Sequence, residues 1–182
     1  MTSGLVGEMT VEDMASHVLH GPRTVLCRKA RAWRSKPPEE KLWFAPAFLL
    51  LGLARAALLT VPFRRIAPLL GHNLQAAVAV PLAGEREVAR ALHIGRAVRT
   101  AARYTPWESQ CLAQAMAARV LLGVNGLPYG LYLGVRKRGE SGVTAHAWVC
   151  TGPAAVTGGR GFGQFAVVGT FVSPRLAPAA GR

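Results

Sequence analysis

Acidic residues are scarce in this chain, with nine Asp and Glu against 22 Lys and Arg over 182 residues. The formal net charge is +13, and no carboxylate side chain follows Glu140. Such an imbalance favours an anionic partner: a nucleic acid, an acidic membrane surface or an acidic peptide. Nucleic acid is the weakest of the three, because no basic stripe alternates with aromatic residues and no nucleic-acid motif is present. An Arg-rich, solvated surface without any partner explains the charge equally well.

Cysteine is also rare. Cys27, Cys111 and Cys150 are odd in number and have no spacing typical of a disulfide framework. The first 20 residues contain acids but no Lys or Arg, and they lack the basic start and apolar core of a secretory signal. We therefore expect a cytoplasmic protein with free thiols. No metal site is expected, because His146 and Cys150 would lie about 13 Å apart along a strand with no further ligand near them in sequence.

The longest apolar run is residues 43–63, close to the length of about 20 residues that spans a bilayer. Arg55 lies well inside it, and Pro46 and Gly52 weaken a spanning helix. A helix packed into the core of a small domain is the first expectation. A helix on a membrane surface and a true membrane span remain the alternatives.

The chain as a whole predicts one domain with loose ends. Residues 1–22 are expected to form a mobile tail and residues 23–104 a helical region, with helices over 23–36, in the apolar run and over 85–103. No strand-rich segment is predicted before residue 100. Residues 105–175 are expected to form the remaining core, packed together with the helical region, and residues 176–182 a second tail.

An apolar, Ala-rich helix is predicted over 112–122, ending at Gly123 and the Asn125-Gly126 pair. Two residues compete as its N-cap. Thr105 is followed by Pro106 and Glu108 in a capping-box pattern, and Ser109 is the rival. The choice matters for Cys111: with Ser109 as cap, the thiol lies in the first turn, where the positive helix end favours a thiolate.

Strands dominate the remainder. Residues 130–136 and 143–150 predict a hairpin, followed by two short strands over 154–157 and 165–172. In the second strand, His146 and Trp148 share one face, and Ala145 and Ala147 share the other. The fold class predicted is α+β, with a helical N-terminal region and a small C-terminal antiparallel sheet.

Cys111 on a helix is followed 35 residues later by His146 on a strand. Papain-like and transglutaminase-like enzymes assemble their nucleophile and base in this order. Small neighbours give access to His146, and the indole of Trp148 can shield a thiolate–imidazolium pair from water. The simpler alternatives are a buried structural cysteine and a half-buried histidine whose hydrogen bonds are satisfied.

Several short motifs in order resemble the leader peptidases of lasso-peptide biosynthesis. They are P-W-E-S-Q-C-L-A-Q-A-M-A, L-Y-L-G-V-R, A-H-A-W-V and the closing V-T-G-G. The resemblance covers roughly residues 28–172 and is strongest over 96–172. It implies a papain/transglutaminase-like fold and a cytoplasmic cysteine protease. That protease removes the leader from a ribosomally made precursor before the macrolactam is closed.

The same resemblance implies roles for individual residues: Cys111 is the nucleophile and His146 the general base. The acid that usually follows the His by about a dozen residues is missing. Thr157 stands near that place, so Thr157, a backbone carbonyl, water or a distant acid must orient the imidazole. Loss of an orienting acid can lower a rate by orders of magnitude. The Cys111 backbone N–H, helped by the Gln110 side chain, is the expected oxyanion donor.

The resemblance also implies partners. These are the leader of the precursor, a separate leader-recognition protein and an asparagine-synthetase-like cyclase that uses ATP. No cofactor is expected on this chain. Two alternatives stay open: an acyltransferase of the same fold, and a non-catalytic scaffold or membrane-surface protein of the maturation complex.

Overall fold

The structure, a computed structural model, describes residues 38–138, 142–159 and 162–174, which belong to one compact unit. The helices in these ranges are α1 (Pro38–Thr60), α2 (Phe63–Ile66), a 3-10 turn (Ala67–Leu70), α3 (Glu85–Ala102), α4 (Cys111–Val124) and a second 3-10 turn (Phe162–Gln164). The strands are β1 (His72–Gln75), β2 (Gly130–Arg138), β3 (Gly142–Thr151), β4 (Ala154–Thr157) and β5 (Ala166–Val172). The predicted tails and the helix over 23–36 lie outside the described residues.

The five strands form one antiparallel sheet in the order β1-β5-β2-β3-β4. The predicted hairpin is confirmed as β2 and β3, with Leu133 opposite Ala147 and Gly134 opposite His146. Strand β1 was not predicted, although one strand of four residues does not make the segment before residue 100 rich in strands. Its four residues show no apolar alternation, so only pairing with β5 makes them a strand. The α+β fold class is confirmed.

Three helices pack on one another, and two of them pack on the sheet. Helix α1 contacts α3 and α4, α3 contacts β4, and α4 contacts β3. Small side chains bring these elements close together. Gly95 of α3 illustrates this, because a Cβ built there would lie 2.3 Å from the carbonyl oxygen of Val156 in β4. The alanines of α4 (Ala113, Ala115, Ala117, Ala118) are almost fully buried for the same reason.

Helix α1 contains most of the predicted apolar run but begins five residues earlier. Its buried side includes Ala47, Leu51 and Ala54, which join the core shared with α3 and α4. Its other side is open, with Leu49 and Leu53 each 66% exposed. The expectation of a core helix is therefore met on one side of the helix only. By length and composition, Glu40–Thr60 could span a membrane, and 17% of its most apolar window is buried.

Candidate active site

Cys111 is the first residue of α4, and Gln110 precedes it in an extended conformation as the N-cap. Neither predicted cap is used: the hydroxyls of Thr105 and Ser109 lie 2.8 Å from each other. The Thr105 hydroxyl also donates to the carbonyl of Ala102 at 2.9 Å, which holds it near the end of α3. The outcome still matches the favourable prediction, because Cys111 lies in the first turn, where backbone N–H groups have no partner inside the helix.

His146 lies in β3, and its Nε2 is 2.7 Å from the carbonyl oxygen of Gly158. A carbonyl oxygen can only accept, so Nε2 carries the hydrogen of this bond. In the neutral imidazole the lone pair is therefore on Nδ1. The ring is held by one nitrogen and keeps the other available to accept a proton.

Aromatic side chains pack around this imidazole. The ring centroid of Phe165 lies 5.0 Å from that of His146, and the stacked ring of Trp148 lies at 6.0 Å. Tyr132 stacks on Trp148 in turn, at 5.5 Å. The alternation predicted for β3 holds, because Ala147 belongs to the core shared with α4, whereas His146 and Trp148 pack together. Trp148 was predicted as a shield. Phe165 was placed in a predicted strand, but its contact with His146 was not predicted, because β5 pairs with β2 and the sequence does not show that pairing.

Cys111 and His146 line one cavity of about 390 Å³, where the start of α4 meets β2 and β3. The other lining residues are mostly small or apolar: Phe63, Leu112, Leu133, Gly134, Val135, Ala145, Ala147 and Val168, together with Gln110. None of the described residues that line the cavity carries a fixed charge. The cavity therefore suits an uncharged or apolar segment of a substrate.

Thr157, predicted as the residue that orients His146, does not make that hydrogen bond. Its side chain is fully buried, and its hydroxyl has no hydrogen-bond partner among the described residues. The next residue, Gly158, supplies the carbonyl oxygen instead. Gly158 has a positive φ of 89°, and a Cβ there would lie 2.3 Å from Cβ of Trp148. The glycines of the V-T-G-G motif were the signal in the sequence that could have identified it.

Gln110, the predicted oxyanion donor, lines the same cavity. Its side-chain Nε2 donates to Oε2 of Glu108 at 3.0 Å. This bond uses one of the two amide hydrogens and leaves the second for another acceptor. Glu108 therefore holds the side-chain amide of Gln110, a contact that the sequence did not indicate.

Comparison with protein families shows that a model of the transglutaminase-like superfamily matches residues 57–170. The chain belongs to the transglutaminase-like superfamily. No curated protein and no solved structure matches it. The superfamily fold commonly serves as a cysteine peptidase or an acyltransferase. The match includes Cys111, His146 and Gly158, and it confirms the predicted class of fold.

The other described thiol in this transglutaminase-like chain has a different environment. Cys150 lines an apolar cavity with Tyr132 and Trp148, and burial raises the pKa of its thiol to about 11. Burial, together with the nearby Cys150, also raises the pKa of Tyr132 to about 12. In ranges 38–138, 142–159 and 162–174, no three His, Cys, Asp or Glu residues are grouped as a metal site would require.

We expect iodoacetamide to label Cys111 at least ~10 times faster than Cys150 at pH 7, because only the thiolate reacts. A thiol with a pKa of about 11 is ionised in roughly one molecule in 10⁴ at that pH. The labelling rate of Cys150 should therefore rise about tenfold per pH unit up to pH 10. Peptide mapping by mass spectrometry measures each cysteine separately, including Cys27.

His146→Ala is the matched variant for this experiment. If the imidazole stabilises the Cys111 thiolate, the variant should be labelled more slowly at Cys111, while the labelling rate of Cys150 should stay unchanged. Equal labelling of the two thiols in the wild-type protein would contradict an activated Cys111.

Proposed function

We propose that this chain is a cysteine peptidase that removes the leader from a ribosomally made lasso-peptide precursor before macrolactam formation. One observation carries the proposal: a cysteine at the first position of a helix and a histidine with an available Nδ1 line the same cavity in a transglutaminase-like fold. The ordered motifs around these two residues support the choice of substrate.

The first half of the reaction forms a thioester. Nδ1 of His146 accepts the proton of the Cys111 thiol across the cavity, and the thiolate attacks the carbonyl carbon of the last leader residue. A C–S bond forms, and the carbonyl oxygen becomes an oxyanion. When this intermediate collapses, the C–N bond breaks and His146 donates its proton to the leaving amine of the core peptide.

The second half releases the leader. Water, deprotonated by His146, attacks the thioester, the C–S bond breaks, and the proton returns to the Cys111 sulfur. The leader leaves with a free carboxylate and the enzyme is regenerated. Throughout, the hydrogen bond from Nε2 to Gly158 keeps the ring in one orientation and stabilises the imidazolium, as an acid does in related sites.

Donors at the start of α4 stabilise the oxyanion in this scheme. The N–H of Cys111 has no acceptor within the helix, and the amide of Gln110 stands at the N-cap beside it. The positive end of the helix adds to their effect. The uncharged lining of the cavity predicts that the residues flanking the scissile bond are themselves uncharged.

The proposed setting is the cytoplasm, with a separate leader-recognition protein and an asparagine-synthetase-like cyclase that uses ATP. The chain itself is proposed to need no cofactor. A strongly basic chain, with a net charge of +13, suits contact with an acidic leader.

The product masses distinguish this function from acyl transfer, the second common activity of the fold. The precursor is incubated with this protein, the recognition protein and the cyclase, and the products are analysed by mass spectrometry. A peptidase gives the leader as a free peptide that ends in a carboxylate, with the mass of its residues plus one water. A leader joined to an added amine would identify an acyltransferase, and an intact precursor would contradict both.

A further inference from the structure

Helix α1 is more exposed than its apolar composition predicts. It is apolar on nearly all sides, which is typical of a helix surrounded by protein or lipid. Within residues 38–138, 142–159 and 162–174, protein covers one side of the helix, through contacts with α3 and α4. The opposite side carries an apolar stripe of Leu42, Ala45, Leu49, Leu53 and Ala56, all exposed. Their spacings of three and four residues place them in one line along the helix.

Exposed apolar side chains are concentrated in the segment of the chain that contains α1. Among the described residues, nine of the 13 large hydrophobic side chains that are exposed lie between Leu42 and Leu82. Leu69 is 67% exposed, and Leu82 is 88% exposed. A soluble monomer rarely leaves an apolar stripe such as that of α1 uncovered.

The charge of the same segment has one sign. Residues 41–84 contain no Asp or Glu and four basic residues, Lys41, Arg55, Arg64 and Arg65. Arg64 and Arg65 are exposed and follow α1 directly, in α2. Glu40, just before this segment, is buried and pairs with Arg96 of α3 at 3.7 Å. An acid-free, partly apolar surface complements the headgroups and acyl chains of an anionic bilayer.

We propose that α1 docks the protein on the surface of an anionic membrane. The helix lies in the plane of the membrane, with its apolar stripe about 5–10 Å deep at the boundary between headgroups and acyl chains. Arg64 and Arg65 contact lipid phosphates. The inference does not depend on the proposed peptidase activity, because none of the stripe residues lines the cavity of Cys111.

Two other arrangements fit the observations less well. A membrane span would have to pull Ala47, Leu51 and Ala54 out of the core and place Arg55 inside the bilayer. A second copy of the chain on the stripe would bring two identical acid-free basic segments together, and their repulsion would oppose pairing. A membrane surface leaves the buried side of α1 intact and attracts the charge.

The test is flotation of the full chain with vesicles of phosphatidylcholine alone or with one quarter phosphatidylglycerol. We expect binding to the anionic vesicles, weak binding to the neutral ones, and release by salt. Leu49→Gln with Leu53→Gln should lower the partition coefficient at least ~10-fold, because two leucine side chains no longer enter the acyl-chain region of the bilayer. Arg64→Gln with Arg65→Gln should lower it about 5- to 30-fold.

The matched control is Val124→Gln with Val143→Gln, which removes two equally exposed apolar side chains outside the segment. It should bind as the wild type does, and so should Cys111→Ala. A melting temperature within about 3 °C of the wild type shows that each variant is folded.

Three outcomes would overturn the proposal. The wild type could fail to float with anionic vesicles. The Leu49/Leu53 variant could bind as well as the wild type, which would mean that net charge alone causes the binding. The same variant could instead abolish a dimer seen by sedimentation velocity while vesicle binding stays unchanged, which would identify a second copy as the occupant.

Discussion

Replacing Cys111 with alanine is expected to abolish leader removal, with a loss of at least ~10³-fold in kcat. Alanine cannot form the thioester, and His146 cannot compensate because it only transfers protons in the proposed reaction. The measurement is the amount of free leader after incubation of the precursor with the variant, the recognition protein and the cyclase. Binding of the precursor should be preserved, since the cavity keeps its apolar lining.

Cys150→Ala is the control for this variant. Its thiol lies in a different cavity, beside Tyr132 and Trp148, and has a pKa of about 11. Activity within about threefold of the wild type is expected, because Cys150 has no part in the proposed chemistry. Unchanged leader removal by Cys111→Ala would refute the peptidase assignment and favour a scaffold in the maturation complex.

Gly158→Ala is expected to lower kcat about 10²-fold, because it disturbs the residue that orients His146. A Cβ at this position would lie 2.3 Å from Cβ of Trp148, so the backbone must move and its carbonyl oxygen moves with it. The imidazole then loses the partner of Nε2, and Nδ1 no longer has a fixed direction. KM should change little, since Gly158 does not line the cavity of Cys111.

Gly159→Ala is the matched control, because it separates backbone strain from the loss of orientation. Gly159 also has a positive φ, 72°, but a Cβ there meets nothing within 4 Å. Both variants therefore carry the strain of a left-handed residue, and only Gly158→Ala should lower kcat strongly. Equal kcat values in the two variants would show that this carbonyl does not position His146.

Much of the fold follows from local patterns in the sequence. The apolar, Ala-rich stretch after Cys111 and the alternating residues around His146 predict α4 and β3, because each pattern has the period of its element. Turn residues mark the ends, and the short strand β4 has the predicted bounds, Ala154–Thr157. The order of cysteine, helix, histidine and strand was sufficient to indicate a thiol enzyme fold, which the family match confirms at the level of the superfamily.

Other features depend on contacts between distant residues. The start of α4 at Cys111 was obscured because Thr105 and Ser109 are both good caps, yet their hydroxyls bond to each other and to α3. Strand β1 exists only because β5 pairs with it. The sequence left the partner of His146 open among Thr157, a backbone carbonyl, water and a distant acid, with Thr157 as the named candidate, and the structure gives the bond to the backbone carbonyl of Gly158.

The sequence by itself determined the longer helices and strands, the class of fold, the imbalance of charge and the two residues on which the proposed chemistry depends. Only the tertiary structure decided that Gly158 holds the imidazole, that one cavity borders both Cys111 and His146, and that α1 is covered on one side. The physical reason is the separation along the chain of the residues that interact. Helix and strand periodicity reflects residues that are neighbours in the chain. A hydrogen bond between residues 12 positions apart, or an uncovered helix face, depends on how separate elements pack.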